Sequence, residues 1–249
     1  MTTIYNPNNL PVNDNINEYS FCMDVRKEMF IQKGKMIAYY GQLRFEALGS
    51  GMFEMLVGNA FNAPLYSRDF VIVTGMGKLI LGDRGNNIAS YDVEAANLTV
   101  RGDNLLAFES SLVCQESTVP GFLTLMGTGK ILASSSGPAH FIEMDGSIPV
   151  RVDEDALLGW ADLPCPSYRY DYAYVRNVLN LVGSVMGISS SGEERQLDFF
   201  GKGTVLLQSS EEGLKGRSNL QSIIAGVSGL HQQDLQHVAT VIQQRLAGR

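Results

Sequence analysis

Short apolar runs alternate with turn-forming residues along most of the chain, which is the pattern of β-strands joined by hairpins. Three of the runs, at residues 70–81, 125–134 and 198–209, contain two closely spaced glycines. Residues that favour β-structure stand on both sides of each glycine pair, and glycine accepts the positive φ of a tight turn. The pattern therefore predicts three hairpins, each with its turn at the glycines.

The three glycine segments also resemble one another. The sequence GMGKLI at 75–80 recurs as GTGKIL at 127–132 and, less fully, as GKGTVL at 201–206. An ordered recurrence of this kind indicates a β-unit that is used at least twice. Because one such unit cannot bury its apolar face alone, we expect the units to pack into a single β-sandwich or barrel-like body. The predicted fold class is all-β, built from repeated hairpin units.

The two ends of the chain differ from this pattern. Residues 1–20 are rich in Asn and Pro and are predicted to form an N-terminal arm, followed by a β-sandwich domain at 21–212. Residues 213–249 begin as a Gly- and Ser-rich linker and end in a short amphipathic helix, which covers its own domain or a partner subunit. The helix is predicted from apolar residues at spacings of three and four, namely Leu235, Val238, Ile242 and Leu246.

Charge and cysteine content narrow the possible partners and compartment. The formal net charge is −7 with no long basic run, so nucleic acid is a poor partner. The three cysteines lie far apart and the N-terminus does not resemble a signal peptide, which together predict a cytoplasmic protein. No apolar run reaches the roughly 20 residues that span a bilayer, although peripheral membrane contact stays open. The longest run, near 178–188, is either a buried strand or an exposed apolar loop.

None of the familiar motifs for catalysis or for ligand binding is present. A phosphate-binding loop needs its Gly-Lys to open a helix, whereas strand-forming residues follow Lys78 and Lys130. The three histidines lack the spacing of metal ligands, and no GxSxG sequence occurs. Cys165 stands between two prolines with no cation beside it to activate the thiol. We therefore expect no catalytic residues, no metal and no cofactor, and predict that the protein is not an enzyme.

A ladder of tyrosines is the most distinctive local pattern. Tyr168, Tyr170, Tyr172 and Tyr174 alternate with other residues, so all four lie on one face of a predicted strand. Such a ladder can stack bases or sugar rings, or it can pack within the sheet or between subunits. The acidic charge of the chain disfavours base stacking, so packing within the sheet or between subunits is the favoured interpretation. Together with Trp160, the four tyrosines are the candidate interaction surface. Alternatively, these residues line an apolar pocket between sheets that binds a small ligand.

Several segments together resemble a known protein family. The sequences FIQKGKMIAY at 30–39, GTG at 127–129 and FGKGTVLLQS at 200–209 are similar to those of the AIM-twenty-four (altered inheritance of mitochondria) family. Members often carry Pro where this chain has Lys202. The resemblance runs over about residues 21–210 and implies a β-sandwich like that of tryptophan RNA-binding attenuator-like proteins, related to double-stranded β-helices. That likeness of fold does not carry over RNA or tryptophan binding.

The resemblance also implies a poorly defined function in a bacterial or mitochondrial setting. Fungal relatives are linked to inner-membrane organisation and bacterial ones to stress responses, and the family has no established catalytic residues. We therefore expect a non-enzymatic oligomeric scaffold or interaction protein, related to stress or membrane organisation, that associates with itself or with another protein. A small-ligand binding module is the alternative, and an RNA-binding protein or an enzyme is less favoured.

Overall fold

The computed structural model describes residues 6–48, 60–164, 166–170 and 195–209. The chain divides into two compact units. The first unit comprises residues 1–149, 156–165 and 200–211, and the second comprises residues 150–155, 166–199 and 212–249. Strands make up most of both units as far as they are described, so the predicted all-β, sandwich-like fold is confirmed.

The described residues form sixteen strands and three short 3-10 helices, at Pro7–Asn9, Pro64–Tyr66 and Gly102–Asn104. In chain order the strands are β1 (Asp14–Asn17), β2 (Ser20–Val25), β3 (Met29–Gln32), β4 (Met36–Ala47), β5 (Phe61–Asn62), β6 (Phe70–Gly82), β7 (Asn87–Arg101), β8 (Leu105–Glu109), β9 (Leu112–Glu116), β10 (Phe122–Ser135), β11 (His140–Asp145), β12 (Val150–Asp153), β13 (Leu157–Ala161), β14 (Ser167–Tyr170), β15 (Arg195–Phe199) and β16 (Lys202–Leu207).

Thirteen of these strands form one sheet in the first unit. Its order is β1-β2-β6-β3-β8-β10-β7-β13-β16-β11, with β4 paired to β6, β9 to β10 and β5 to β9. All pairs are antiparallel except β5 with β9. The segment predicted to be an N-terminal arm contains β1, and the Asn15 side chain donates a hydrogen bond to the Ile88 carbonyl.

The two long strands β6 and β10 have equivalent neighbours. Strand β4 pairs with almost the whole of β6, while β3 and β2 pair with the first and second parts of its opposite edge. In the same way, β7 pairs with the whole of β10, while β9 and β8 share the opposite edge. In each long strand the two glycines lie near the junction between the two shorter neighbours.

The predicted hairpin turns at the glycine segments are wrong. Gly75 and Gly77 lie inside β6, and Gly127 and Gly129 lie inside β10, so each predicted hairpin is one long strand. The third segment also makes no hairpin, because β15 pairs with β12 and β14 whereas β16 pairs with β11 and β13. A tight turn and an irregular point within a strand both use glycine, so the residue type alone does not separate them.

Close backbone approach explains why glycine is needed in the middle of β6. A Cβ atom on Gly75 would lie 2.0 Å from the Gln42 carbonyl oxygen of β4, and one on Gly77 would lie 2.1 Å from the Tyr40 oxygen. Gly75 also has a φ of 112°, a region that other residues rarely adopt. In β10 the ladder to β7 is irregular between Gly127 and Gly129. The repeated glycines are therefore points where a long strand departs from regular geometry.

Two apolar clusters form the core of the first unit. One contains the aromatic side chains Phe30, Phe61, Phe70 and Phe108, with ring centroids 4.9–6.2 Å apart. The other contains the neighbours of Phe30 in β3, Met29 and Ile31, along with residues of β2, β6 and β8. Since alternate residues of a strand point to opposite faces, β3 has an apolar cluster on each face. This explains why its sequence is a continuous apolar run.

The second unit contains a three-stranded sheet in the order β12-β15-β14. Val152, Leu197 and Phe199 are buried, and Arg151 Nε lies 3.3 Å from Asp198 Oδ1. The predicted C-terminal helix and the apolar run at 178–188 lie outside the described residues, and the predicted domain boundaries stay predictions. In the part of the chain that the structure describes, no helix has the length and apolar content to cross a membrane.

Candidate interaction surface

Trp160, the one tryptophan of the predicted surface, is a core residue of the first unit. It lies in β13 between β7 and β16, and only 3% of its surface is exposed. The Phe122 ring packs on it at a centroid distance of 5.2 Å, and the Arg101 guanidinium lies 4.9 Å from the centre of the Phe122 ring. Trp160 is therefore covered by its own unit and is not part of an exposed surface.

The tyrosine ladder is described only at its start. Tyr168 and Tyr170 lie in β14 of the second unit, paired with Leu197 and Arg195 of β15. Tyr172 and Tyr174 lie outside the described residues. The ladder therefore stays a prediction. Its described residues belong to the second unit, and Trp160 belongs to the first.

A different apolar surface is exposed in the first unit, at the start of β4. We call it the β4 patch, and it consists of Met36, Ile37, Tyr39, Tyr40 and, on the neighbouring β6, Met76. Between 38% (Tyr40) and 72% (Met76) of the surface of each residue is exposed. Single exposed apolar residues are ordinary, but five exposed on the two faces of two paired strands are the kind of apolar surface found at interaction sites.

The β4 patch lies on an open sheet edge. Among the described residues β4 pairs with β6 alone, so the N–H and C=O groups on its other edge face away from the sheet. Natural proteins protect long edge strands with charge, proline or bulges. Strand β4 has 12 residues and no proline, and its only charged residues are Arg44 and Glu46 near its end. Its pairing with β6 shifts register between Met36 and Ala38.

A bend at Gly41 separates the exposed half of β4 from the anchored half. Gly41 has a φ of 98°, and a Cβ there would lie 2.6 Å from the Met76 carbonyl oxygen. The rings of Tyr39 and Phe45 are 5.4 Å apart, although residues six apart on a straight strand are separated by about 20 Å. Beyond the bend, Leu43 is buried in the second apolar cluster and Phe45 packs against it. The patch therefore occupies the half of β4 that precedes the bend.

A buried ion pair holds the start of β4 in place. The ammonium of Lys35 lies 2.6 Å from one carboxylate oxygen of Asp83, and the other oxygen accepts a 2.6 Å hydrogen bond from Ser134. Burial by itself would raise the pKa of Asp83, but the hydrogen bonds from Lys35 and Ser134 and the charge of Lys35 lower it below its usual value. The Lys35 carbonyl also accepts a hydrogen bond from the Gly82 amide. The patch thus begins beside a rigid polar contact.

The described polar side chains do not assemble a recognisable catalytic site. Ser209 Oγ lies 3.1 Å from His140 Nε2, but its hydroxyl donates to the Pro138 carbonyl. The serine is then the acceptor in its contact with His140, which is the reverse of what a catalytic base requires. Cys22 and Cys114 are buried free thiols, and burial raises the pKa of Cys114 to about 12. Within the described residues no group of His, Cys, Asp or Glu could hold a metal ion.

A cleft of about 410 Å³ lies at the connection between β2 and β3. Its lining includes Asp24, Arg26, Lys27 and Glu28, and the Arg26 guanidinium pairs with Asp24 at 2.6 Å. Apolar side chains, among them Met23, contribute the rest of the wall. The cleft therefore offers both charge signs beside an apolar surface, at a position that the sequence did not predict.

A family model described as "Mitochondrial biogenesis AIM24" matches residues 20–210. The chain belongs to this family. The match covers every described strand of both units except β1, and so agrees with the resemblance seen in the sequence motifs. No curated protein matches this AIM24 chain.

Seven chains of solved structure match this AIM24 protein. One of them is a protein from Streptococcus pyogenes whose crystal structure superposes on this chain with a TM-score of 0.57. The two sequences are 17% identical. The alignment covers 86% of this chain and 96% of the streptococcal chain. At this identity the likeness concerns the fold alone, which it supports over most of the chain.

One local feature of the AIM24 sequence marks the position of the β4 patch, namely an uncharged run, but it does not show that the run is exposed. Residues 36–43 contain no charge, which is consistent with a strand that is buried on both faces. Whether such a run is covered depends on which strands lie beside it, and the run itself carries no information on that point.

Proposed function

We propose that the protein is a non-enzymatic scaffold that associates with itself through the exposed edge of β4. The observation that carries this proposal is the β4 patch, five exposed apolar residues on and beside an edge strand that has no proline and, before Arg44, no charge. Burying apolar surface contributes about 25 cal/mol per Å², and a second chain at this edge would also satisfy the outward backbone groups. Both terms favour association over exposure to water.

Further expectations belong to this proposal. The equivalent neighbours of β6 and β10 support a β-unit that has been repeated within the chain. The cytoplasm is the proposed compartment, supported by the sparse cysteines, of which Cys22 and Cys114 are free thiols. We keep stress tolerance or membrane organisation as the role of the assembly, since these are the settings that the family resemblance implies.

Native mass spectrometry and light scattering test self-association directly. We expect a discrete multimer at micromolar concentration for the unaltered protein. Tyr40→Lys introduces a charge into the β4 patch, which is the means by which natural edges avoid pairing, and should shift the mass towards the monomer. Leu65→Lys is the matched control, because Leu65 is 79% exposed but lies in a 3-10 helix away from β4. It should leave the multimer unchanged.

Two results would overturn the proposal. The first is a monomer for the unaltered protein at micromolar concentration. The second is a multimer that persists in Tyr40→Lys, provided that circular dichroism shows the variant to be folded. A stoichiometric small mass carried by the monomer would instead favour ligand binding.

The cleft between β2 and β3 supports small-ligand binding as a second candidate function. With Arg26, Lys27, Asp24 and Glu28 in its lining, it suits a small amphipathic molecule that carries charge. A ligand that binds only the folded state raises its stability, and saturation should raise the melting temperature by several degrees. A metabolite screen by thermal shift tests this, with Lys27→Ala expected to abolish the shift. Absence of any shift across the screen would count against it.

A further inference from the structure

We infer that two copies of the chain pair through β4 in the antiparallel direction, about a two-fold axis that passes at Tyr40, so that one sheet runs through both copies. This inference rests on the proposed self-association and adds its geometry. The occupant of the open edge is β4 of a second copy.

The occupant must be a strand because of the backbone of β4. Among the described residues one edge of β4 is paired with β6, so the N–H and C=O groups on the other edge, from Met36 to Arg44, point outwards. An added strand satisfies such groups in series, whereas side chains or a helix satisfy only a few. The identical strand of a second copy has the same length and presents the same outward groups from Met36 to Arg44.

The charges of β4 select the antiparallel direction. Parallel pairing in register would place Arg44 opposite Arg44 and Glu46 opposite Glu46, and like charges directly opposite one another are destabilising. Antiparallel pairing about Tyr40 places Arg44 opposite Met36 of the other copy. The Arg44 and Glu46 side chains of one copy then lie at the opposite end of the interface from those of the other copy. A two-fold axis also makes a closed dimer, in which each copy presents the same surface.

The side chains around Gly41 place the axis at Tyr40. In that register Tyr39 of each copy faces Gly41 of the other, and an aromatic ring opposite a strand glycine covers the backbone that the glycine exposes. Ile37 then faces Leu43, and Tyr40 faces Tyr40. Aromatic and aliphatic cross-strand pairs of this kind each contribute about 0.2–1 kcal/mol relative to alanine pairs.

Cysteine cross-linking tests the direction and the register together. In the inferred register, residue 40 faces its own copy at about 5 Å. Residues 38 and 42 are each four strand positions away from their own copies, beyond the roughly 7 Å between Cα atoms that a disulfide can bridge. Tyr40→Cys should therefore form a disulfide dimer under mild oxidation, while Ala38→Cys and Gln42→Cys alone should form little. A mixture of Ala38→Cys and Gln42→Cys chains should cross-link well, because these two positions face each other.

The mixture keeps the test valid even if loss of the Tyr40 ring weakens the dimer. Leu65→Cys, exposed but distant in the fold from β4, measures random collision, and the unaltered protein measures the background from the native cysteines. Equal yields at 38, 40 and 42 would mean parallel pairing and would overturn the inference. A multimer by native mass spectrometry without cross-links at any of the three positions would overturn it while leaving self-association intact. A monomer would overturn both.

Discussion

Lys35 and Asp83 form a buried ion pair, with 2.6 Å between the ammonium nitrogen and a carboxylate oxygen, at the point where β4 begins and β6 has ended. Both residues are largely hidden from water, and Ser134 of β10 donates a hydrogen bond to the same carboxylate. Through Asp83, these contacts connect the start of β4 to β10. The ion pair therefore links the stability of the fold to the position of the β4 patch.

Replacing Asp83 by Asn should destabilise the protein by about 1–3 kcal/mol, since it leaves the Lys35 ammonium without its counter-charge in a mostly buried place. Urea denaturation at pH 7 measures the loss. The matched control is Asp92→Asn, because Asp92 pairs with Lys130 at 2.7 Å but is 68% exposed. Exposed pairs contribute about 0–1 kcal/mol. Equal losses in the two variants would contradict a special role for the buried pair.

The same pair predicts the direction of a pH dependence. The pKa of Asp83 is lower in the folded protein than the ordinary value of 3.8, so the ionised form is favoured by folding. Its contribution is fully present above the pKa of the unfolded chain and is lost as the pH falls through the lower, folded pKa. We expect the urea concentration at the unfolding midpoint, measured from pH 7 to pH 2.5, to decrease once the pH drops below about 4. The midpoint of Asp83→Asn should decrease less steeply over the same range. Identical slopes for the two proteins would refute this assignment.

Gly75→Ala should destabilise the protein strongly, because the new methyl group would approach the Gln42 carbonyl of β4 to within 2.0 Å in addition to straining the backbone. We expect a loss of more than about 3 kcal/mol, the upper end for backbone strain alone. Gly85→Ala separates the two effects, since Gly85 has a φ of 80° but no atom within 4 Å of the added Cβ. It should cost only about 1 kcal/mol. Similar denaturation midpoints for both variants would show that the close approach is unimportant.

The single tryptophan reports on the core. Trp160 is 3% exposed beneath Phe122, so the native protein should show blue-shifted emission that acrylamide quenches poorly. Tyr40→Lys should leave this emission unchanged, because Tyr40 lies on the edge of the sheet. Phe122→Ala should shift the emission to the red and cost about 3–5 kcal/mol. Emission near that of the unfolded chain in the native protein would contradict the buried position of Trp160.

The two described cysteines should resist chemical modification because they are buried. Cys22 and Cys114 are buried, and burial raises the pKa of Cys114 to about 12, so almost no thiolate forms there at pH 8. In the native protein both should resist a thiol reagent such as 5,5′-dithiobis-(2-nitrobenzoate) for as long as the fold persists. Peptide mapping after labelling identifies which residues have reacted. Rapid labelling of Cys114 in the folded protein would be inconsistent with its position.

The strand content was predictable because alternation of apolar residues and glycine punctuation are local properties of a β-chain. The function of the glycines was not, since a turn and a mid-strand distortion both need a residue without a Cβ. Only the approach of the Gln42 carbonyl to Gly75 distinguishes the two. Trp160 was grouped with the tyrosines as a candidate interaction surface, yet it is buried and Phe122 packs on it.

Local pattern and motif determined the all-β class and the family, because both are written in short stretches of residues that lie close along the chain. The order of the strands decided which apolar residues are covered. Strand β3, with the continuous run Met29, Phe30, Ile31, lies between β6 and β8 and is buried, whereas β4, with a similar run from Met36 to Tyr40, lies at an edge and is exposed. Burial depends on neighbours that are distant in the sequence, and only the tertiary structure brings them together.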